Sequence, residues 1–264
     1  MSSERYLPEE PGPDWAHDAV LHTRNKTILA EFAAPTWWER AIRRLWMGSA
    51  ALRTSALSRG RVQVVISEQL IENALLLREA DSSVRRALDF GGFESTMPLA
   101  LASVGIDVTV VDQRRYPFRH PRLHVLQHDI LNPMDTLAND FDLVYSISTL
   151  EHVGIGAYGD AYGEGADAVA VGHLWAKVRP GGRLLFTVPA GRATVARGYR
   201  IYSPEAVVAL LPRPGTVRYF SKAGRLGTWE ESSADAIAEH RYEDQDAELP
   251  VECIAVALVQ KPIA

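Results

Sequence analysis

Scarcity is the first information in this chain of 264 residues. It has one cysteine, Cys253, so no disulfide can close within the chain, and that thiol is expected to be a small buried hydrophobe. No apolar run reaches the length of about 18 residues that a membrane-spanning helix needs. The opening Met-Ser-Ser-Glu-Arg runs into a proline-bearing acidic stretch without an apolar segment, which argues against a secretory signal. An excess of positive charge is lacking too. Against 33 Asp and Glu stand 28 Lys and Arg, a net charge of −5, and a dedicated nucleic-acid binder is normally basic. There is no internal repeat and no low-complexity tract. The remainder, 47% hydrophobic and 23% charged, has enough apolar residues to build a core, so the expectation is a soluble cytoplasmic protein that binds no nucleic acid.

The chain divides by pattern. Residues 1–35 carry Pro8, Pro11, Pro13 and Pro35 among charges, with a short helix expected from Asp14 to Phe32. From Thr36, a helix cap, the residues Trp37, Trp38, Ala41, Ile42, Leu45 and Trp46 share one stripe at helical spacing. A second helix from about Ser67 to Ala80 is expected to turn Leu70, Ile71, Ala74, Leu75 and Leu77 inward. Residues 1–80 are therefore assigned as an arm and helical cap, and 81–264 as the main domain. Segment 36–61, with three Trp and six Arg against one acid, can be core, a homodimer interface or a stripe lying on a membrane surface.

After Asp81 strands and helices alternate. Strands are expected at Arg86–Phe90, Asp107–Val111, Leu123–Leu126, Phe141–Ile147 and Arg183–Val188, with two more near Thr216–Phe220 and Glu252–Val259. Helices are expected at Pro98–Val104, Ala166–Val178 and Pro204–Leu211, the second stopped by Pro180-Gly181-Gly182. Alternation of this kind predicts an α/β fold, a Rossmann-like, doubly wound, mostly parallel sheet that binds ligands at its carboxyl edge.

The stretch Leu88-Asp89-Phe90-Gly91-Gly92-Phe93-Glu94-Ser95 is a strand ending in an acid and turning through two glycines. Glycine lets a backbone turn sharply and approach a ligand closely. The next strand ends in Asp112, whose carboxylate can accept both hydroxyls of a ribose, and the third leads to Asp129, placed to receive an exocyclic amine. Three acids at three successive strand ends describe a pocket for an adenosine with an amino-acid-like tail. A dinucleotide enzyme shares this logic, but its G-x-G-x-x-G is missing and Glu94 would repel a pyrophosphate.

These segments resemble the class I S-adenosylmethionine (SAM)-dependent methyltransferases over roughly residues 84–190. Asp89-Phe-Gly-Gly is similar to the SAM loop, Asp112 to the ribose acid, and His128-Asp129-Ile130 to the adenine segment. Phe141 to Val153 is similar to the fourth-strand motif, and Val178-Arg-Pro-Gly-Gly182 to the turn before the fifth strand. More narrowly, Asp112-Gln-Arg-Arg-Tyr-Pro-Phe-Arg-His-Pro121 and Ser148-Thr-Leu-Glu-His-Val-Gly154 resemble a little-characterised bacterial branch associated with surface glycans or secondary metabolites. The chain departs from the superfamily where Phe93 and Ser95 replace loop glycines. The resemblance implies SAM as cofactor, held by Asp89, Gly91, Gly92, Phe93, Glu94, Asp112, Gln113, Asp129, Ile130 and Ser146.

It also implies methyl transfer to a small acceptor, an oxygen of a sugar, glycan or natural product. Glu151 and His152 follow the fourth strand, and an imidazole titrating near neutrality can take a proton from such an oxygen. The same histidine can instead bond a backbone carbonyl and orient the following loop. Residues 154–165, glycine-dense with Tyr158 and Tyr162, are either a substrate lid or a surface connection. Arg192, Arg197, Tyr199 and Arg200 either meet an anionic or sugar substrate or form a solvated face, with Tyr158, Tyr162 and Arg197 the substrate-binding candidates. Relatives that bind a metal through Glu-x-x-Glu-His have an acid where this chain has Ser148. Glu151, His152, Asp160 and His173 have no recognised ligand spacing, so no metal is expected. Two other classes compete, a catalytically silent SAM-fold binding module and a nucleotide-sugar or dinucleotide enzyme.

Overall fold

The computed structural model describes residues 19–24, 27–32, 61–65, 68–156, 163–196, 198–222, 229–242 and 251–263. They belong to two compact units, residues 1–67 and 68–264. In the first unit β1 (Ala19–Arg24), β2 (Thr27–Phe32) and β3 (Arg61–Val65) form an antiparallel sheet in the order β1-β2-β3. This overturns the helix expected over Asp14–Phe32. Leu21, Thr23, Ile28 and Leu29 bring apolar and β-branched residues to two segments that pair antiparallel, from the pair Arg24 and Thr27 to the pair Ala19 and Phe32. The expected helix from Thr36, and with it the Trp/Arg stripe, lies outside the described residues.

The second unit opens with α1 (Gln69–Glu79) and is built on one mixed sheet. Its parallel strands are β4 (Arg86–Phe90), β5 (Asp107–Asp112), β6 (Leu123–Gln127), β7 (Phe141–Ser146) and β8 (Val178–Pro189). The hairpin β9 (Thr194–Ala196) and β10 (Tyr199–Ile201) stands apart from it. The last strands, β11 (Thr216–Lys222), β12 (Trp229–Ser232) and β13 (Cys253–Gln260), complete an eight-stranded order β12-β11-β13-β8-β7-β4-β5-β6. β13 inserts antiparallel between β8 and β11. The chain winds outward from β4 through β5 to β6, then crosses back to β7 on the other side of β4. That reversal, between β4 and β7, is where a doubly wound sheet leaves an open crevice at its carboxyl edge.

Residue alternation along the strands feeds two cores. Leu88, Phe90, Val144, Leu184 and Phe186 face α3 (Ala166–Lys177), with α4 (Pro204–Leu210) and α5 (Ala234–Glu239) on the same side. Ala87, Val108, Val110, Leu143, Tyr145 and Leu185 face α1 and α2 (Met97–Ser103). Both faces are covered, which is why these strands read as near-continuous apolar runs.

Two details depart from the expectations. Val178-Arg-Pro-Gly-Gly182 is not a free turn but the start of β8, with a register shift against β7 between Phe141 and Leu143. A Cβ on Gly182 would lie 2.8 Å from the Phe141 carbonyl oxygen, so glycine permits that close pairing. The second detail is the rotation of α1. Leu70 and Leu77 are 53% and 51% exposed, while Glu72, Leu76 and Glu79 are buried. Part of the reason lies at the helix end, where Arg183 of β8 bonds the Glu79 carboxylate (3.1 Å), the Glu79 carbonyl (2.9 Å) and Asp81 (2.9 Å). Truncating Leu76 to Ala is expected to cost about 2–5 kcal/mol in urea unfolding, and Leu77→Ala less than about 1 kcal/mol. Equal losses at the two positions would contradict this rotation.

Candidate functional site

At the carboxyl edge above the β4–β7 crevice lies a cavity of about 300 Å³. Its walls come from the loop after β4 (Asp89, Gly91, Gly92), the end of β5 (Asp112, Gln113), the loop after β6 (Asp129, Ile130) and the loop after β7 (Thr149, His152). Residues separated by 63 positions in the chain thus share one surface, because parallel strands bring their carboxyl ends to the same edge.

Asp89 sits opposite Tyr145 in the β4–β7 pairing and is 2% exposed. Its Oδ2 makes no hydrogen bond among the described residues, while the Tyr145 hydroxyl interacts with its carboxyl. Burial pushes this carboxyl up to about 7; the Tyr145 hydroxyl favours its ionised form and the Asp112 carboxylate opposes it. The effect is mutual, since burial first and Asp89 next raise Tyr145 well above the usual phenol range.

The glycines of the turn answer to steric limits. Gly91 takes φ +84°, and a Cβ there would lie 2.2 Å from Thr149 Cγ2. A Cβ on Gly92 would meet Asp89 Oδ2 at 2.7 Å. The loops after β4 and β7 therefore touch across the crevice with no room for a side chain at Gly91.

Asp112 is buried and accepts from the Phe93 amide at 3.2 Å and the Arg114 amide at 2.7 Å. Arg114 also carries its guanidinium 4.1 Å from the centre of the Phe93 ring. Asp129 accepts from the Leu131 amide at 3.0 Å, an Asx turn that holds the loop after β6. His173 on α3 bonds the Ile130 carbonyl at 2.6 Å and braces the same loop from below. A carbonyl can only accept, so Nδ1 of His173 carries the proton.

His152 closes the floor of the cavity. Its Nδ1 bonds the Gly198 carbonyl, which assigns the proton of the neutral ring to Nδ1 and makes Nε2 the unprotonated nitrogen. Nε2 lies 3.8 Å from Oε1 of the buried Glu151. The backbone-bonding and proton-accepting roles offered for this histidine are thus compatible, each using its own nitrogen.

The expected residues do not all reach the cavity. Phe93 stacks under Arg114, Ser146 is wholly buried at the end of β7, and Glu151 stands behind His152. The side chain of Glu94 and residues Tyr158, Tyr162, Arg197 and Asp160 lie outside the described residues. Arg200 bonds Asp167 at 2.7 Å and the Tyr202 hydroxyl at 3.0 Å, beside the cavity rather than on its wall. Among the described residues no three His, Cys, Asp or Glu side chains are grouped to hold a metal, and no helix is long and apolar enough to cross a membrane. Gln69, Asn73, Ser148 and Thr149 line the cavity and were not among the expected residues. Gln69 and Asn73 are spaced by four on α1, a polar pair that could have been seen.

The chain is similar to several known proteins. A family model described as Caenorhabditis protein of unknown function, DUF268, matches residues 106–225. The ubiquinone biosynthesis O-methyltransferase of Azotobacter vinelandii is 29% identical over 167 residues, covering 59% of this chain and 66% of that protein. The match thus spans just under two thirds of that relative's length. A SAM-dependent methyltransferase from Archaeoglobus fulgidus is similar in structure with a TM-score of 0.50 and 15% identity, over 74% of this chain and 95% of that one. The fold is that of the class I SAM-dependent methyltransferases. The N-methyltransferase NodS of Bradyrhizobium japonicum, in complex with S-adenosylhomocysteine, is similar with a TM-score of 0.48 and 20% identity, over 74% and 87% of the two chains.

With the methyltransferase fold established, the cavity can be tested against SAM. A buried carboxyl whose outer oxygen lacks a partner suits an ammonium group, which would supply both a donor and a counter-charge. Asp112 and Asp129 each retain acceptor capacity for hydroxyl and amine donors. The residues present fit the cofactor.

A raised Asp89 has a measurable consequence in the protein without cofactor. The unfolded chain ionises this group near 4 while the folded chain holds the proton to about 7. Stability contributed by the protonated form is therefore lost as pH rises through that window. Relative to Asp89→Asn, the wild type is expected to lose about 2–4 kcal/mol between pH 4 and pH 8, measured by urea unfolding at each pH. Parallel stability curves would contradict the assignment.

Proposed function

We propose that this chain is a SAM-dependent O-methyltransferase acting on a small hydroxylated acceptor, a sugar or another natural product. The observation that carries the reading is the convergence of Asp89, Gly91, Gly92, Asp112 and Asp129 on one cavity at the β4–β7 crevice. The curated relative in Azotobacter is an O-methyltransferase, which supports oxygen as the acceptor atom. When bound, SAM supplies an electrophilic methyl carbon.

The roles of the chain's own residues follow. Asp89 binds the cationic amine of the cofactor's amino-acid end and gives up its proton as it does so. Asp112 accepts the ribose hydroxyls, and Asp129 the exocyclic amine of the adenine. Gly91, with no side chain, lets Thr149 pack against the turn, and the two loops together form the cavity wall on which the cofactor tail would lie. His152 takes the acceptor's hydroxyl proton on Nε2, and Glu151 beside it favours the imidazolium that results. The Gly198 carbonyl holds the ring in the tautomer that this step needs. Tyr158, Tyr162 and Arg197 remain candidates for the acceptor side; the two tyrosines fall in the sequence between Gly154 and Gly163, where the Gly163 amide bonds the Gly154 carbonyl at 2.9 Å.

Thermal unfolding with SAM, S-adenosylhomocysteine, NAD and a UDP-sugar tests the cofactor. S-adenosylhomocysteine at a hundred times its dissociation constant is expected to add about 2.7 kcal/mol, with no shift from NAD or the UDP-sugar. Asp112→Ala is expected to weaken that binding by about tenfold or more, since a hydrogen-bonded charge is removed. A shift with NAD alone would favour a dinucleotide enzyme instead.

Catalysis is tested separately. His152→Ala is expected to keep S-adenosylhomocysteine affinity within a few-fold while lowering methyl transfer to sugar and phenolic acceptors by about a hundredfold. Unchanged turnover would remove the proton-accepting role.

A further inference from the structure

One carboxylate near the cavity has no part in the scheme above. Glu72 lies on the inner face of α1 and is wholly buried. Its Oε1 accepts from the Ser148 hydroxyl at 2.8 Å and from the Thr187 hydroxyl at 2.6 Å, and its Oε2 accepts from Ser148 at 3.0 Å. Thr187, near the end of β8, in turn accepts the Ser148 amide at 3.0 Å. Both the amide and the hydroxyl of Ser148 are therefore fixed through one carboxylate, directly and by way of Thr187.

Ser148 needs such fixing. Its φ of +45° is the only positive φ of a non-glycine residue among the described residues. A non-glycine side chain in the left-handed region is strained and persists only where its surroundings hold it. The residue begins the loop after β7, lines the cavity, and is followed by Thr149, which packs on Gly91. A loop released at Ser148 would move Thr149 away from the glycine turn and open the wall against which the cofactor lies.

We propose that Glu72 is a positioning residue of the cofactor site, holding the loop after β7 in its binding conformation through Ser148 and Thr187. The inference rests on the methyltransferase reading for the identity of the ligand, though not for the restraint on the loop. Glu72 is not among the residues that line the cavity and reaches its wall through Ser148 and Thr187. A buried carboxylate that answers two hydroxyls from the carboxyl edge of the sheet also accounts for the rotation of α1, which turns a charged residue inward and two leucines outward.

Two measurements test it on the full chain. In hydrogen exchange, Glu72→Ala is expected to speed the amides of 147–152 by about tenfold or more, while those of β5 and α3 keep wild-type rates. In titration calorimetry the same variant is expected to bind S-adenosylhomocysteine about tenfold more weakly, a loss in scale with a displaced binding wall. Glu72→Gln, whose amide oxygen can still accept from both hydroxyls, is expected to stay within about threefold of wild type in both readouts. If Glu72→Ala does not fold, Thr187→Val breaks the same chain at its middle and is expected to speed the same amides. Unchanged exchange over 147–152, or a Gln variant that falls as far as Ala, would overturn the proposal. Wild-type protein that fails to bind S-adenosylhomocysteine would sink the cofactor reading instead, and the exchange data would still decide the role of Glu72.

Discussion

The structure depends on a close approach between two loops at the point where the winding of the sheet reverses. Gly91 after β4 and Thr149 after β7 touch across the crevice so tightly that no side chain fits on the glycine. Beneath them Asp89 and Tyr145 face each other across the β4–β7 pairing, both buried, and Asp89 Oδ2 has no hydrogen bond among the described residues. Such an arrangement is costly in a fold that otherwise buries apolar side chains on both faces of the sheet. It is reasonable in a site whose missing partner is a ligand, since the ligand then recovers the energy that folding left unspent.

Electrostatics around that point is graded from the sheet outward. Asp89 is buried, its Oδ2 has no hydrogen bond among the described residues, and its proton is held to near neutrality. Asp112, one strand over, is buried yet accepts from two backbone amides. Asp129, on the third strand's loop, is engaged in its own local turn. The three carboxylates therefore differ in how much each would gain from a ligand, although in sequence they look alike. Phe93 replaces a loop glycine without blocking the cavity, because its ring turns under the Arg114 guanidinium.

Much of this was legible in the chain itself. The strands Arg86–Phe90, Asp107–Asp112 and Phe141–Ser146 are short apolar runs, the first two with an aspartate at or next to their ends, and the structure has them within a residue or so of expectation. The aspartates at their ends are on the cavity wall because strand ends in a parallel sheet share an edge. Less legible were the strands at 19–32, where alternation is weak and pairing partners decide the outcome, and the outward turn of Leu70 and Leu77. Helical periodicity gave α1 a correct location and an orientation right at Ile71 and Leu75, which pack on the core, but wrong at Leu70, Ala74 and Leu77, which are exposed, since a glutamate is assigned to solvent unless its partners are known.

Local pattern by itself determined the kind of fold, the order of its strands along the chain and the identity of the acids at the carboxyl edge. Those are properties of residue type and spacing over a few neighbours, and a sequence displays them directly. Tertiary structure alone decided which side chains meet: Glu72 with Ser148 and Thr187, 76 and 115 positions away, His152 with the Gly198 carbonyl, and Gly91 with Thr149. These contacts join segments far apart in the chain, and they follow from strand order and helix rotation rather than from the residues near any one of them.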